Sequence, residues 1–196
     1  ARAGFRVVLT ARDVIRGHLA AQALAVDFVQ LDLSKAVSIA RCAWELKMRY
    51  GRIDALINNA SIKTRHDDPT PFVEKARAEV DVNFFGTLAV CQALFPLLSI
   101  GGRVVNVVSS GGHLVILPSE AHRCDFASAE STLTVSQLWR LMTEFIMDVE
   151  QSRSLAHAPS GPAADWPHVA KGWPNTAYGM SKLGQIALTK IHAREL

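Results

Sequence analysis

The chain has 196 residues, of which 49% are hydrophobic and 20% charged, and its formal net charge is +3 at pH 7. This length suffices for one domain with a buried core. So small and dispersed a charge gives no reason to expect a nucleic acid or a membrane surface as a partner. Cys42, Cys91 and Cys124 form no CxxC pair and are odd in number. The sequence therefore predicts no disulfide framework and favours a reducing, cytoplasmic compartment.

Strand and helix patterns alternate along the first 110 residues. Predicted strands cover residues 5–10, 26–31, 55–58 and 104–108. Between them lie an Ala- and Leu-rich helix, a helix from a Ser34 cap to Tyr50 that stops at Gly51, and a long helix that carries Asn83 and ends near Pro96. The alternation predicts βαβ units in a doubly wound parallel sheet, and strands that are apolar throughout predict burial on both faces. The apolar stretch 88–100 is too short to span a bilayer.

The segment from about 111 to 172 interrupts this alternation within a single domain, 1–196. Its middle predicts a helix, because Thr134 and Gln137 have the spacing of a capping box. Apolar residues at helical spacing continue that helix: Leu138, Met142, Phe145 and Val149. The Pro-rich stretch 158–167 predicts a loop.

Polar side chains follow the predicted strands at their carboxyl ends. Asn58 and Asn59 end one strand, and Ser109 and Ser110 end another. In open α/β sheets ligands bind outside the carboxyl ends of the strands, so we expect chemistry at these positions.

The stretch Tyr178-Gly-Met-Ser-Lys182 places a phenol and an ammonium four residues apart. On a helix both side chains lie on one face, and the ammonium favours the phenolate, as a general acid near neutral pH requires. Alone, this spacing is usually an ordinary helical pair. Together with the strand-end amides and serines, and with Asn83 inside its helix, it indicates an active site.

This combination resembles the short-chain dehydrogenase/reductase family, and within it the NADPH-dependent carbonyl reductases. Five further stretches carry the likeness: Asp68-Pro-Thr-Pro-Phe72, Asn83-Phe-Phe-Gly-Thr87, Gly102-Arg-Val-Val-Asn-Val107, Gly172-Trp-Pro174 and Ile191-His-Ala-Arg194. The likeness covers the whole chain except roughly 110–172, and it implies a Rossmann-like fold. Carbonyl reductases also carry a helical insert here that covers the helix face used for tetramers in other members, which implies a monomer.

The resemblance implies a reaction and its residues. Hydride would pass from NADPH to a ketone, aldehyde or quinone carbonyl carbon, and Tyr178 would donate the proton. Lys182 would assist Tyr178 and hold the nicotinamide ribose, and Ser110 would donate a hydrogen bond to the carbonyl oxygen. Ser110 is preferred to Ser109 because strand alternation sends the two to opposite faces and the family uses the second. Asn83 would hold a relay water for Lys182, or bend the helix by bonding backbone.

The resemblance also implies how the cofactor is held. Arg12 and Arg16, one helical turn apart, would bind the 2′-phosphate and so select NADPH. Asp32 would contact the adenine, and Asn59 the adenine ribose. At Ser61 the family usually has Gly, so a Cβ lies where backbone passes close to the cofactor. The histidines show no metal-ligand spacing, so no metal is expected and His66, His113, His122, His157 and His168 are predicted as surface or loop residues. Trp173 either walls the substrate pocket or packs in the core.

Two family features are missing from the sequence as given. No Gly-rich turn precedes the predicted strand 5–10, and the last strands are not present after Leu196. Without the first strand, two half-sheets would have no common neighbour. We therefore expect part of a longer enzyme. The alternatives are a non-catalytic fragment of such an enzyme, and a retinol or steroid dehydrogenase-like member with the same residues.

Overall fold

A computed structural model describes residues 4–65, 67–151 and 166–195. In chain order, the main elements are β1 Val8–Ala11, α1 Val14–Leu24, β2 Asp27–Gln30, α2 Ala36–Tyr50, β3 Ile53–Asn58, α3 Phe72–Val80, α4 Thr87–Leu94, β4 Leu98–Asn106, α5 Glu120–Ala127, α6 Val135–Gln151, α7 Pro167–Ala170 and α8 Ala177–Glu195. They fall into two compact units, residues 4–57 with 86–105 and residues 58–85 with 106–195. We call these unit 1 and unit 2.

Unit 1 holds the paired strands. β1 is parallel to β2, in register from Val8 opposite Asp27 to Ala11 opposite Gln30. β3 pairs with β4, so the described residues form two separate two-stranded sheets. The predicted strands all exist, with ends that differ from the predicted ones by a few residues and with β4 starting earlier than expected.

The core of unit 1 lies between strands and helices α2 and α4. Its buried apolar residues include Val29, Leu31, Ile39, Cys42, Leu46, Leu56, Val90, Cys91, Leu94 and Leu97. None of the three cysteines forms a disulfide with a described residue, and Cys42 and Cys91 are buried while Cys124 is exposed. Gly51 ends α2 as predicted, at φ 73°, a left-handed conformation that suits glycine. The predicted Ser34 cap is wrong by one residue, because Lys35 is the N-cap and Ser34 instead bonds Asp32.

The predicted long helix through Asn83 is present, with a π-helical turn at Asp81–Gly86 between α3 and α4 and a final 3₁₀ turn at Phe95–Leu97. The continuous stretch Phe72–Leu97 is the one helix in the described ranges that is long and apolar enough to cross a bilayer, by length and composition alone. More than half of that stretch, 56%, is buried inside the protein, which is usual for a core helix.

Unit 2 confirms the predicted helix in the insert. Gln137 N donates to Thr134 Oγ1 at 3.2 Å, and Thr134 N donates back to Gln137 Oε1 at 2.9 Å, which is a capping box. The predicted apolar face is buried along α6. This helix packs against α3 and α8. The approach to α8 is close, since a Cβ on Gly184 would lie 2.9 Å from the Met142 sulfur. The predicted loop 158–167 lies outside the described residues up to position 165.

An aromatic cluster precedes α8 and decides between the two roles left open for Trp173. It also corrects the surface or loop positions expected of His168 and of His122, which is half-buried in α5. His168 is fully buried, stacked on Phe72 with ring centroids 5.2 Å apart, and is therefore not a surface residue. Burial lowers the pKa of His168. Trp173 is also fully buried, stacked on His122 at 3.7 Å, and its indole N–H donates to Asp148 Oδ2 at 2.8 Å. Trp173 is thus a packing residue. His66 and His157 lie outside the described residues, and His113 is exposed.

Candidate active site

Tyr178 and Lys182 lie in the first turns of α8, on the helix that their spacing predicts. The Lys182 ammonium is 5.7 Å from the centroid of the Tyr178 ring. Lys182 is only 2% exposed, and burial lowers its pKa. Its Nζ donates to the Val107 carbonyl at 3.0 Å, and among the described residues no carboxylate lies within 4 Å of it. A buried cation beside a phenol stabilises the phenolate that remains after proton donation.

Asn83 lies in the π-helical turn and is fully buried. Its Oδ1 accepts from Ile62 N at 2.8 Å, and its Nδ2 donates to Ile62 O at 2.8 Å and to Ser181 Oγ at 3.0 Å. Ser181 in turn donates to the Tyr178 carbonyl at 2.8 Å. Asn83 therefore bonds backbone, which was one of its two expected roles, and it connects the loop after β3 to the Tyr178 turn.

The two serines lie in a turn, and the alternation argument used to choose between them does not apply. β4 ends at Asn106, Ser109 caps a 3₁₀ turn, and Ser110 is the first residue of that turn, Ser110–Gly112. The Ser109 hydroxyl accepts from Gly111 N at 3.2 Å. Ser110 is exposed and Ser109 half-buried.

Glycines bring this serine turn against α8. A Cβ on Gly179 would lie 2.8 Å from the Gly111 carbonyl oxygen, and one on Gly112 would lie 2.7 Å from Leu183 N. Only residues without a side chain permit so close an approach. The serine turn therefore lies directly against the helical turns that carry Tyr178 and Lys182.

A second ammonium reaches Tyr178, and the sequence reasoning missed it. Lys63, in the loop after β3, has its Nζ 5.0 Å from the Tyr178 ring centroid. Ser181 was missed as well. The signal for Lys63 was a cation in the loop that follows the carboxyl end of β3. No spacing rule in the sequence connects residues 63 and 178.

The predicted phosphate clamp lies in unit 1, at the end of β1. Arg12 is exposed, and its guanidinium has no ion pair with any described residue. Its carbonyl accepts from the Gln30 side chain at 3.1 Å. Arg16 is also exposed, with its Nε 3.9 Å from Asp13, the residue that caps α1. The structure thus leaves the Arg12 guanidinium available for an anion and places Arg16 beside a competing carboxylate.

Asp32 follows β2 in the same unit. Its Oδ1 accepts from Ser34 Oγ at 2.6 Å and from Ser34 N at 3.0 Å. These bonds are the main reason that the pKa of Asp32 is lowered, with smaller contributions from Lys35 and Arg12. Asp32 is therefore an ionised acceptor fixed in a tight turn.

Asn59 and Ser61 lie in unit 2, in the exposed loop after β3. The Asn58 Nδ2 donates to Asn106 Oδ1 at 2.8 Å, so this amide links the ends of β3 and β4. The positive-φ residues of the described chain do not include Ser61. The serine that replaces the expected glycine thus adds no backbone strain.

The described residues contain no cluster of three or more His, Cys, Asp or Glu side chains that could hold a metal ion. Three of the five stretches that carried the resemblance contain residues with a structural role. Arg194 donates to the Ala129 carbonyl at 3.1 Å and to the Leu133 carbonyl at 2.6 Å, and Asp68 Oδ1 accepts from Thr70 N at 2.8 Å. Gly172 has φ 87° and packs against Ser119.

The family model described as short chain dehydrogenase matches residues 1–120. Among curated proteins, the chain is 39% identical to "Carbonyl reductase [NADPH] 1" of Homo sapiens over 195 residues, and 40% identical to "Carbonyl reductase [NADPH] 3" of Rattus norvegicus over 201 residues. Each alignment covers 97% of this chain and 65% of the relative, so the chain spans less than two thirds of these relatives' length.

Among solved structures, "Menthone neomenthol reductase from Mentha piperita" is similar, with a TM-score of 0.82 and 26% identity. That match covers 99% of this chain and 78% of the other. The fold, the motifs and these matches agree with the Rossmann-like architecture expected from the sequence. The chain belongs to the short-chain dehydrogenase family.

Proposed function

We propose that the protein reduces a carbonyl compound to an alcohol with NADPH as the hydride donor. The observation that carries the proposal is the pair in α8: a buried, desolvated Lys182 ammonium 5.7 Å from the Tyr178 ring, with a neutral backbone carbonyl as its partner. A structural lysine buried for stability would be expected to have a carboxylate partner. The relatives named carbonyl reductase [NADPH] support the reaction type.

The residues divide the work by their chemistry. NADPH, when bound, would supply the hydride to the carbonyl carbon. Tyr178 would donate its phenolic proton to the carbonyl oxygen, so that hydride and proton together give the alcohol. Lys182 would stabilise the resulting phenolate, and its ammonium would donate a hydrogen bond to a hydroxyl of the nicotinamide ribose. Ser110 would donate a hydrogen bond to the oxygen as negative charge develops there.

The chain's groups for holding the cofactor fit a phosphorylated dinucleotide. Arg12 offers the 2′-phosphate a guanidinium that has no ion pair among the described residues, and Arg16 would assist it if the phosphate displaced Asp13. Asp32 would contact the adenine and Asn59 the adenine ribose. Asn83 would hold a relay water through the remaining lone pair of its Oδ1, since its two N–H groups are already used.

Replacement of Tyr178 by Phe tests the proposal. We expect Tyr178→Phe to lower the rate of NADPH oxidation by about 10²–10⁴-fold, the usual contribution of a general acid, while NADPH still binds in a fluorescence titration. The matched control is Tyr50→Phe, because Tyr50 is the chain's other tyrosine and lies in α2. Near-normal turnover in Tyr178→Phe would sink the proposal. A folded chain that binds no NADPH would favour the non-catalytic fragment.

A pair of alanine variants tests the serine assignment. If Ser110 donates to the substrate oxygen, Ser110→Ala should lower kcat by about 10²–10³-fold, as loss of an oxyanion donor does. Ser109→Ala should then mainly loosen the turn that its hydroxyl caps. The opposite ranking of the two variants would move the role to Ser109.

The substrate and the assembly complete the proposal. Quinones, ketones and aldehydes are the first substrates to profile, with retinoids and steroids as the alternative class. We propose a monomer, because α6 packs on α8 and so covers one face of that helix. We propose the cytoplasm, because three cysteines without a CxxC pair favour a reducing compartment. Light scattering of the purified chain would contradict the monomer if it gave twice or four times the chain mass of 21.4 kDa.

A further inference from the structure

Lys63 gives the candidate active site a second cation. Its ammonium lies 5.0 Å from the Tyr178 ring centroid, closer than that of Lys182 at 5.7 Å. Lys182 is buried, whereas Lys63 is exposed. The phenol is therefore flanked by one internal ammonium and by one that solvent, or a substrate, can reach.

Buried side chains fix the backbone on both sides of Lys63. Before it, both backbone groups of Ile62 are bonded to Asn83, each at 2.8 Å. After it, Thr64 N donates to Glu79 Oε1 at 2.5 Å. Asn83 is fully buried and Glu79 is 4% exposed. The loop is thus anchored at the residues next to Lys63, and the position of this lysine relative to Tyr178 is built into unit 2.

Among the described residues, no acid compensates the charge of Lys63. No carboxylate of a described residue lies within 4 Å of its ammonium, although the other cations near it in the chain are engaged. Arg65 makes two bonds of 3.0 Å to Asp67, and Lys75 bonds the Asp68 carbonyl at 2.5 Å. An exposed, unpaired ammonium on an anchored loop beside the proton donor is positioned to meet an anion.

We propose that Lys63 is a specificity-determining residue that favours carbonyl substrates carrying a carboxylate near the reacting carbonyl. The inference rests on the proposed function, because the reacting carbonyl must lie at the Tyr178 hydroxyl for its proton to be transferred. A carboxylate a few bonds from that carbonyl is then within reach of the Lys63 ammonium. A neutral substrate of the same shape gains nothing from it.

The experiment compares 3-acetylbenzoate with its neutral methyl ester as substrates of the full chain with NADPH. Wild type, Lys63→Met and Lys63→Arg are assayed for kcat/KM on both, and Arg65→Met serves as a loop-charge control. In Lys63→Met, the acid-to-ester ratio of kcat/KM should fall by about three- to tenfold, mainly through KM, because a solvent-exposed ion pair contributes little. Lys63→Arg should keep the ratio, and so should Arg65→Met. Added salt should shrink the wild-type ratio.

The outcomes separate this inference from the proposed function. If the ester is reduced but the ratio is the same in wild type and Lys63→Met, the inference is overturned and the proposed function stands. An equal fall in Arg65→Met also overturns it, since any loop cation would then serve. If wild type oxidises no NADPH with either substrate, nor with quinones, the proposed function fails and the inference with it.

Discussion

The chain should become more stable when Lys182 is replaced by Met. The ammonium of Lys182 is held in the protein interior at 2% exposure, with the Val107 carbonyl as its hydrogen-bond acceptor at 3.0 Å. Burial of an ion costs several kcal/mol in a protein, and a hydrogen bond to a charged group returns about 1.5–3 kcal/mol. Met fills a similar volume without the charge. We therefore expect Lys182→Met to raise the free energy of unfolding by about 1–2 kcal/mol.

The stability that Lys182→Met gains over wild type should decrease as the pH rises. Burial lowers the pKa of Lys182 in the folded chain below its unfolded value of about 10.4. The unfolded chain therefore keeps the proton to higher pH, and wild-type stability rises as pH climbs from the folded pKa toward ~10.4. The advantage of Lys182→Met is largest below the folded pKa and narrows as lysine becomes neutral in both states.

Urea denaturation at pH 7 and pH 10, followed by circular dichroism, measures the effect. The control is Lys171→Met, the same substitution at a lysine that bonds the buried Asp148 carboxylate at 2.5 Å. That control should lose about 1–3 kcal/mol, because Asp148 would stay buried without its cation. Equal losses in both variants, or a Lys182→Met gain that grows toward pH 10, would refute the reasoning.

Three other side chains give predictions for the same denaturation assay. Burial lowers the folded pKa of His168 below its unfolded value of ~6.5. The free energy of unfolding should therefore fall as the pH drops below ~6.5, by at most about 1.4 kcal/mol per pH unit. His168→Phe should flatten that slope between pH 7.5 and 5.5. Asn83→Ala should cost about 2–4 kcal/mol, since both backbone groups of Ile62 lose their partner, and a loss under 1 kcal/mol would contradict the anchoring role. Thr134→Ala should cost about 1 kcal/mol through the α6 cap, and no change would mean that the cap is redundant.

The spacing of residues in the sequence predicted those parts of the fold that depend on contacts between near neighbours in the chain. The Thr134 and Gln137 capping box, the glycine stop at Gly51 and the Tyr178–Lys182 pairing on one helix face all follow from contacts within one or two helical turns. Such contacts can be read from the order of residues because the helix geometry is fixed in advance.

Contacts between distant segments could not be predicted in this way. His168 is buried because Phe72 stacks on it from another part of the chain, and Lys63 reaches Tyr178 because Asn83 and Glu79 hold its loop. The choice between the serines assumed that the strand continued, whereas Gly111 and Gly112 let the chain turn against α8. In each case the position of the residue depends on a contact with another element of the fold.

The positions of the three cysteines allow local opening of unit 1 to be measured by thiol alkylation. Burial raises the pKa of the Cys42 thiol to about 11, so in the closed fold this thiol holds very little thiolate, the form that attacks an alkylating reagent. Cys42 and Cys91 both lie in unit 1, whereas the exposed Cys124 lies in unit 2. Alkylation followed by mass spectrometry should give one adduct at once, and the second and third adducts should appear at the rate at which unit 1 opens.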